Sequence, residues 1–297
     1  MPDLSIVIPA RDEAEGLGTL LPQLRSRYAD AEIIVVNDGS TDATETVCQE
    51  HGVTVLNNPY SMGNGAAIKR GVRAASGDII VCMDGDGQHD AEDIPRLLEK
   101  LAEGYDMVVG ARARRGQAGM HRALANGIYN RIASLMTGFR IEDLTSGFRA
   151  VRARKFKRFL YLLPNGFSYP TTITMAFFRS AYPIAYIPIE VRKRSGRSKI
   201  HIFRDGMRFF LIIMRIGALF SPMRLFLPIS GSLFLTGCGY YLYTFLTTHR
   251  FTNMSALLLI ASILTFLIGI VSEQISSLHY RNASDGISAA DEEDPPL

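Results

Sequence analysis

The sequence predicts an α/β domain with a mostly parallel sheet, followed by an interfacial amphipathic helix and two membrane-crossing helices. Three observations carry this. Short runs rich in Val and Ile alternate with helix-length segments through the first 110 residues. Acidic residues recur just past the ends of those runs. Charge is then lost from two long late segments.

Taken in order, the strand-like runs are Leu4 to Ile8, Glu32 to Val36, Val53 to Leu56, Asp78 to Met83 and Asp106 to Val109. Between them lie helix-like stretches, Glu13 to Tyr28, Asp42 to Glu50, Asn64 to Ala75 and Ala91 to Leu101. This alternation is that of parallel βα units. In open sheets of this kind, ligands bind beyond the carboxyl ends of strands. Glu13 follows the first run, Asp38 the second, and Asp84 and Asp86 the fourth.

The stretch Cys82-Met83-Asp84-Gly85-Asp86-Gly87-Gln88-His89-Asp90 is the most informative. Two carboxylates one residue apart, set between glycines at a strand end, offer oxygen ligands to a hard divalent cation that can hold a diphosphate. A solvated acidic loop is the plainer alternative, with Asp90 as the N-cap of the next helix and Asp93 three positions on. Gly63-Asn64-Gly65 opens a helix but lacks the third glycine of the dinucleotide fingerprint, and no GK[ST] follows. Its glycines mark either a plain turn or a close backbone approach to a nucleotide, with Gly65 as the candidate contact.

Composition bounds the rest. The chain has 297 residues, 47% hydrophobic and 21% charged, with a net charge of +3, too small to argue for a nucleic-acid partner. Cys48, Cys82 and Cys238 are widely separated and form no CxxC pair, so all three are expected reduced. Leu225 to Thr248 and Phe251 to Ser272 contain no Asp, Glu, Lys, Arg or His, and each can cross roughly 30 Å of hydrocarbon as a helix. On a helix at about 100° per residue, His201, Arg204, Arg208 and Arg215 fall within one wedge about 60° wide, and Phe203, Phe209, Phe210, Leu211, Ile212 and Ile213 fill the remainder. Such a helix is expected to lie in the membrane interface, or alternatively on the soluble domain.

Met1-Pro2-Asp3 lacks a basic n-region and Leu4 to Pro9 is too short for an h-region, so the first 200 residues are expected in the cytosol. Cations cluster ahead of the first span, while the turn from His249 to Asn253 adds only Arg250 and a histidine, which orients the large domain inward. The expected organisation is an α/β domain over 1–198, an interfacial helix over 199–222, two spans within 223–280 and a disordered acidic tail over 281–297. The expected location is a plasma or inner membrane, multi-pass, with the large domain cytoplasmic.

Four motifs in order, Ser5-Ile6-Val7-Ile8-Pro9-Ala10, Val36-Asn37-Asp38-Gly39-Ser40-Thr41-Asp42, Met83-Asp84-Gly85-Asp86-Gly87-Gln88-His89 and Thr145-Ser146-Gly147-Phe148-Arg149-Ala150, resemble those of family 2 glycosyltransferases of GT-A fold. Within that family the chain is similar to the polyprenyl-phosphate glycosyltransferases typified by dolichyl-phosphate mannose synthase, over about residues 4 to 200. The resemblance implies that Pro9, Ala10 and Glu13 line the nucleotide pocket and that Asp38 contacts the base or ribose. It implies a Mg²⁺ or Mn²⁺ ion on Asp86, with Asp84 and Gln88 in support. Arg197 and Lys199, within Arg194 to Lys199, would close on the donor diphosphate. Arg122, Arg131, Ser146 and Arg149 would receive the acceptor phosphate. Asn37 stands where many members carry a second aspartate, so no charge is expected to act there.

The implied reaction is inverting transfer of one sugar from a UDP- or GDP-sugar to dolichyl or undecaprenyl phosphate, with Asp86, Ser146 and Arg149 central to it. A phosphate monoester with a second pKa near 6 is mostly dianionic at neutral pH, so no general base is expected beside it. Two other readings stay open. A processive polysaccharide synthase would need a QxxRW-type motif, and the chain has no tryptophan. A non-enzymatic, membrane-tethered nucleotide-sugar binder would be marked by a degenerate DxD. The sequence leaves a homo-oligomer open.

Overall fold

The computed structural model describes residues 3–112, 120–166, 169–191, 217–218 and 220–291, with side chains over 120–126, 128 and 279–291 outside the description. The expected interfacial helix over 199–222 falls almost wholly outside the described residues. The chain divides into two compact units, Met1–Lys199 and Ile200–Leu297.

The first unit is built on a seven-stranded sheet. Its strands are β1 (Leu4–Ala10), β2 (Glu32–Asn37), β3 (Thr54–Asn57), β4 (Ile79–Cys82), β5 (Met107–Arg112), β6 (Arg149–Arg152) and β7 (Ile184–Ile189), in the spatial order β3-β2-β1-β4-β6-β5-β7. The helices are α1 (Ala14–Arg27), α2 (Thr44–Glu50), α3 (Asn64–Ala74), α4 (Ile94–Ala102), α5 (Met120–Thr137), α6 (Ala153–Arg158) and α7 (Tyr169–Arg179). Strands β3, β2, β1 and β4 are mutually parallel, and β7 is parallel to β5. Among the described strands only β6 runs antiparallel to its neighbours, β4 and β5. Asp90 caps the short turn before α4, accepting from the Glu92 N–H at 3.0 Å, as its spacing predicts.

Both faces of the sheet are covered, which explains why the central strands are continuous apolar runs rather than alternating ones. Ile6, Ile8, Val35, Val81 and Val108 pack with Leu17, Leu21 and Leu24 of α1 and Ile94 and Leu97 of α4. On the other face α3 lies so close to β1 that a Cβ at Gly71 would meet Val7 Cγ1 at 2.4 Å. The register sets Val7 beside Cys82 and Ala10 beside Asn37, so the ends of β2, β1 and β4 open onto one edge.

The second unit is a helical hairpin of α8 (Pro222–Thr248) and α9 (Asn253–Asp291), turning at His249, whose φ is 54°. Segments Pro222–Thr248 and Asn253–Leu278 are each long and apolar enough to cross a membrane. Burial is inverted relative to a water-soluble core. Ser230, Thr244, Ser255 and Ser262 face inward, while Leu235, Leu246, Leu257 and Ile260 are exposed. Ser262 Oγ donates to the Ser230 carbonyl at 2.9 Å, and the close approach of Gly237 to Leu258 shows small residues setting the helix spacing. Helix α9 is described as far as Asp291, and the rest of the expected acidic tail, residues 292–297, lies outside the described residues.

Candidate active site

The edge where β2, β1 and β4 end forms a pocket of about 330 Å³. Pro9, Ala10, Arg11, Glu13, Asp38, Ser61, Gly63, Asn64, Ala67, Asp84, Gly85 and Asp86 line it. Of the residues expected to hold a donor or metal, it brings together Pro9, Ala10, Glu13, Asp38, Asp84 and Asp86. Gln88 follows directly, its N–H donating to Asp86 Oδ1 at 3.1 Å.

Two loops form the β1–β2 side by interlocking. Asp12 holds a left-handed φ of 54°, uncommon for a residue with a side chain. Its carboxylate accepts the Thr41 N–H at 2.7 Å, while its own N–H donates to Ser40 Oγ at 3.0 Å. Asp42 accepts the Ala14 N–H at 3.1 Å, and Thr44 Oγ1 accepts the Glu13 N–H at 3.1 Å. These contacts aim Arg11 and Glu13 at the pocket. Sequence reading singled out neither Asp12 nor Arg11. Asn37 donates to Asn57 Oδ1 at 2.9 Å and accepts the Ser40 N–H at 3.0 Å, work that an aspartate could only half perform.

Asp38 is buried, and its carboxylate is saturated. Oδ1 accepts from Asn58 Nδ2 at 2.7 Å and the Met62 N–H at 2.8 Å, and Oδ2 from Ser61 Oγ at 2.9 Å and the Gly63 N–H at 2.8 Å. Burial pushes its pKa up, but these four bonds outweigh burial and hold it below the ordinary range. The expected contact to a base or ribose therefore has no free lone pair in this structure. Asp38 instead shapes the loop from Asn58 to Gly63, which lines the pocket.

Gly65 is closed off by a distant segment of the chain. Its N–H donates to the Gly166 carbonyl at 3.2 Å, and an added Cβ would lie 2.0 Å from the Pro164 carbonyl oxygen. The close backbone approach foreseen there is made by the chain itself, not by a ligand.

Asp84 and Asp86 form the β4 side. Asp84 packs against Gly147, where an added Cβ would lie 2.8 Å from Oδ2 and 3.0 Å from Oδ1. His89 Nε2 stands 3.5 Å from Asp84 Oδ2. The buried imidazole stacks on Phe148 with centroids 5.0 Å apart, and its Nδ1 has no hydrogen-bond partner. Burial raises the Asp84 pKa, but His89, Arg112 and Arg149 together carry it below the ordinary range. The Asp84 carboxylate is therefore held ionised. Among the described residues no group of three or more His, Cys, Asp or Glu side chains forms a closed cage. Two carboxylates with an amide beside them suit a hard cation such as Mg²⁺, which keeps waters and takes substrate oxygens. Burial pushes the Cys82 thiol behind this loop up to about 12, so it is a neutral packing group.

The Thr145–Arg149 segment behaves unlike a surface phosphate site. Arg149 is wholly buried, its guanidinium donating to the Pro170 carbonyl at 3.1 Å, to Thr174 Oγ1 at 3.2 Å and to the Ser146 carbonyl. It joins β6 to α7 and is closed to an acceptor phosphate in this structure. Ser146 is also buried, and its Oγ has no partner. Arg131 is exposed on α5 and is not among the pocket-lining residues. Arg122 lies on α5 with its side chain outside the description, and Arg197 and Lys199 lie outside the described residues.

The fold is the GT-A arrangement of glycosyltransferases. A crystal structure of glucosyl-3-phosphoglycerate synthase from Mycobacterium tuberculosis with Mn²⁺, UDP and glucosyl-3-phosphoglycerate matches it with a TM-score of 0.59 and 21% identity, over 72% of this chain and 78% of that one. The model described as Glycosyl transferase family 2 matches residues 5–160, and that described as GtrB C-terminal hairpin matches residues 221–278. Dolichyl-phosphate hexose transferase of Haloferax volcanii is 30% identical over 218 residues, 72% of this chain and 93% of the relative. Undecaprenyl-phosphate 4-deoxy-4-formamido-L-arabinose transferase of Pectobacterium carotovorum is 35% identical over 161 residues, 50% of this chain and 49% of that relative. The chain belongs to glycosyl transferase family 2 and is a glycosyltransferase.

Proposed function

We propose that this enzyme transfers one sugar, with inversion, from a UDP- or GDP-sugar to a polyprenyl phosphate at the cytosolic face of a membrane. One observation carries the reading. An acidic pair, Asp84 and Asp86, stands in a pocket at the carboxyl edge of the sheet, on a chain that also carries a lipid-suited helical hairpin. The relatives named for dolichyl-phosphate and undecaprenyl-phosphate transfer support the acceptor class. The two spans and cytoplasmic orientation rest on the apolar helices and on the basic bias ahead of them.

Asp84 and Asp86, with Gln88 beside them, would hold a Mg²⁺ or Mn²⁺ ion, which when bound neutralises charge on the departing nucleoside diphosphate. The loop ordered by Asp38 shapes one wall of the nucleotide site. Arg11 and Glu13 are aimed across it by the Asp12 and Asp42 contacts. Inversion follows from one in-line displacement, in which an acceptor phosphate oxygen bonds to the anomeric carbon as the diphosphate oxygen leaves. The acceptor is already anionic, so the chain need only position it. Resemblance of motifs alone assigns Arg197 and Lys199 to the donor diphosphate and Arg122, Arg131 and Ser146 to the acceptor phosphate. Arg149 is not assigned there.

The test is Asp86→Ala in the full chain, assayed with Mn²⁺, short-chain polyprenyl phosphate and the donor the wild type uses. Transfer should fall by about 10²-fold or more while thermal unfolding is little changed. Near-normal turnover would remove Asp86 from the site.

A further inference from the structure

We infer that Asp143 is a positioning residue that, through a fork with Arg112, fixes the turn on which Asp84 rests and so sets the affinity for the divalent ion. This rests on the metal reading above and extends it to a residue that no motif marked.

Asp143 is 2% exposed, and its carboxylate organises everything around it. Arg112 donates to it twice, from Nε at 2.8 Å and Nη2 at 2.9 Å, in bidentate geometry. The Arg112 N–H adds a bond at 3.2 Å, tying the carboxylate to the end of β5. The Thr145 and Ser146 N–H groups each donate to Oδ1 at 3.1 Å, and Arg112 Nη2 also reaches Thr145 Oγ1 at 2.6 Å. The turn from 143 to 146 is therefore tied at Thr145 and Ser146, and Arg112 links it to β5.

The residue that follows is Gly147, whose Cα is the wall against Asp84. Tyr169 anchors the far side by donating to the Gly147 carbonyl at 3.2 Å. The Asp84 carboxylate also meets His89, whose Nε2 lies 3.5 Å from Oδ2. Asp84 thus packs against an imidazole and a backbone wall, and the wall continues the turn that Asp143 ties. Supporting contacts of this kind carry much of a site's metal affinity.

The experiment uses full-length wild-type chain, Asp143→Asn and Arg112→Lys, titrated with Mn²⁺ by electron paramagnetic resonance, alone and with UDP. Asparagine keeps an acceptor for the turn but loses the charged fork, and an ammonium cannot fork at all. Both variants should bind Mn²⁺ about 10- to 100-fold more weakly. Phe156→Leu, buried in α6 away from the pocket, should lower the unfolding temperature and leave Mn²⁺ affinity unchanged. If Asp143→Asn does not fold, Arg112→Lys decides the matter. Wild-type Mn²⁺ affinity in the folded variants would overturn the inference alone. A wild-type chain that binds no Mn²⁺ in either condition would remove the metal reading, and this inference with it.

Discussion

Gly147→Ala is the sharpest perturbation the site offers, because it adds one methyl group and no charge. Its Cβ would lie 2.8 and 3.0 Å from the two Asp84 oxygens. Ordinary contact begins near 3.4 Å, so the carboxylate must retreat by about half an ångström. His89 Nε2 stands 3.5 Å from Oδ2, so the retreat also disturbs that contact, beside the pocket that Asp84 and Asp86 line. Catalytic groups tolerate errors of only about 0.5 Å, and a 1 Å misplacement costs about 10²-fold. The expected loss in transfer rate is therefore about 10- to 100-fold, with a weaker response to added Mn²⁺. Overpacking should cost about 1–3 kcal/mol in stability, a modest fall in unfolding temperature. The assay is initial rate against Mn²⁺ concentration, with thermal unfolding in parallel. A variant with the wild-type rate and Mn²⁺ response would refute the argument that Gly147 positions Asp84.

Three further outcomes are expected. Asp38→Asn removes one of two acceptor oxygens from the 58–63 loop, so KM for the nucleotide donor should rise more than kcat falls, and stability should drop by about 1–3 kcal/mol; an unchanged donor KM would show that the loop does not shape the nucleotide site. Arg149→Lys should cost about 2–4 kcal/mol of stability by breaking a buried strut, leaving KM for the lipid phosphate unaltered in the folded fraction; a selective rise in acceptor KM would restore Arg149 to the acceptor site. The Asp143 pKa is lowered, because the bonds from Arg112 and the turn outweigh burial, so its contribution is fully present above the ordinary value of 3.8 and is lost as pH falls through the lower folded-state value. Denaturant titrations from pH 5 downward should show this acid limb flattened in Asp143→Asn, and identical slopes would contradict it.

The parts of the fold that could be read in advance were those with local signals. All five expected runs became strands, β1 to β5, and Glu13, Asp38, Asp84 and Asp86 fell on one edge because each follows one of the parallel strands β1, β2 and β4. Strand β6 left no signal. It is four residues long, begins and ends with arginine, and owes its place to pairing with β4 and β5. That is also why Arg149 reads as a phosphate ligand in sequence. It is held by α7, which begins twenty residues later, and no local pattern announces a guanidinium directed at the Pro170 carbonyl and the Thr174 hydroxyl. Gly65 misled for a related reason, since the group that approaches it is Pro164, about a hundred residues away. Asp38 was found but its work was not, because saturation by Asn58, Ser61, Met62 and Gly63 is a property of the folded loop. Asp143 was invisible because its fork with Arg112 spans thirty-one positions.

Sugar transfer to polyprenyl phosphate is tested most directly by the product itself. Full-length chain in detergent, with Mn²⁺, short-chain polyprenyl phosphate and a panel of isotopically labelled UDP- and GDP-sugars, should yield a lipid-linked monosaccharide phosphate from at least one donor. Mass spectrometry should show one sugar per lipid, and NMR should show the anomeric configuration inverted relative to that donor. Failure to form a lipid-linked product from any donor, or appearance of a polymer instead, would contradict the account.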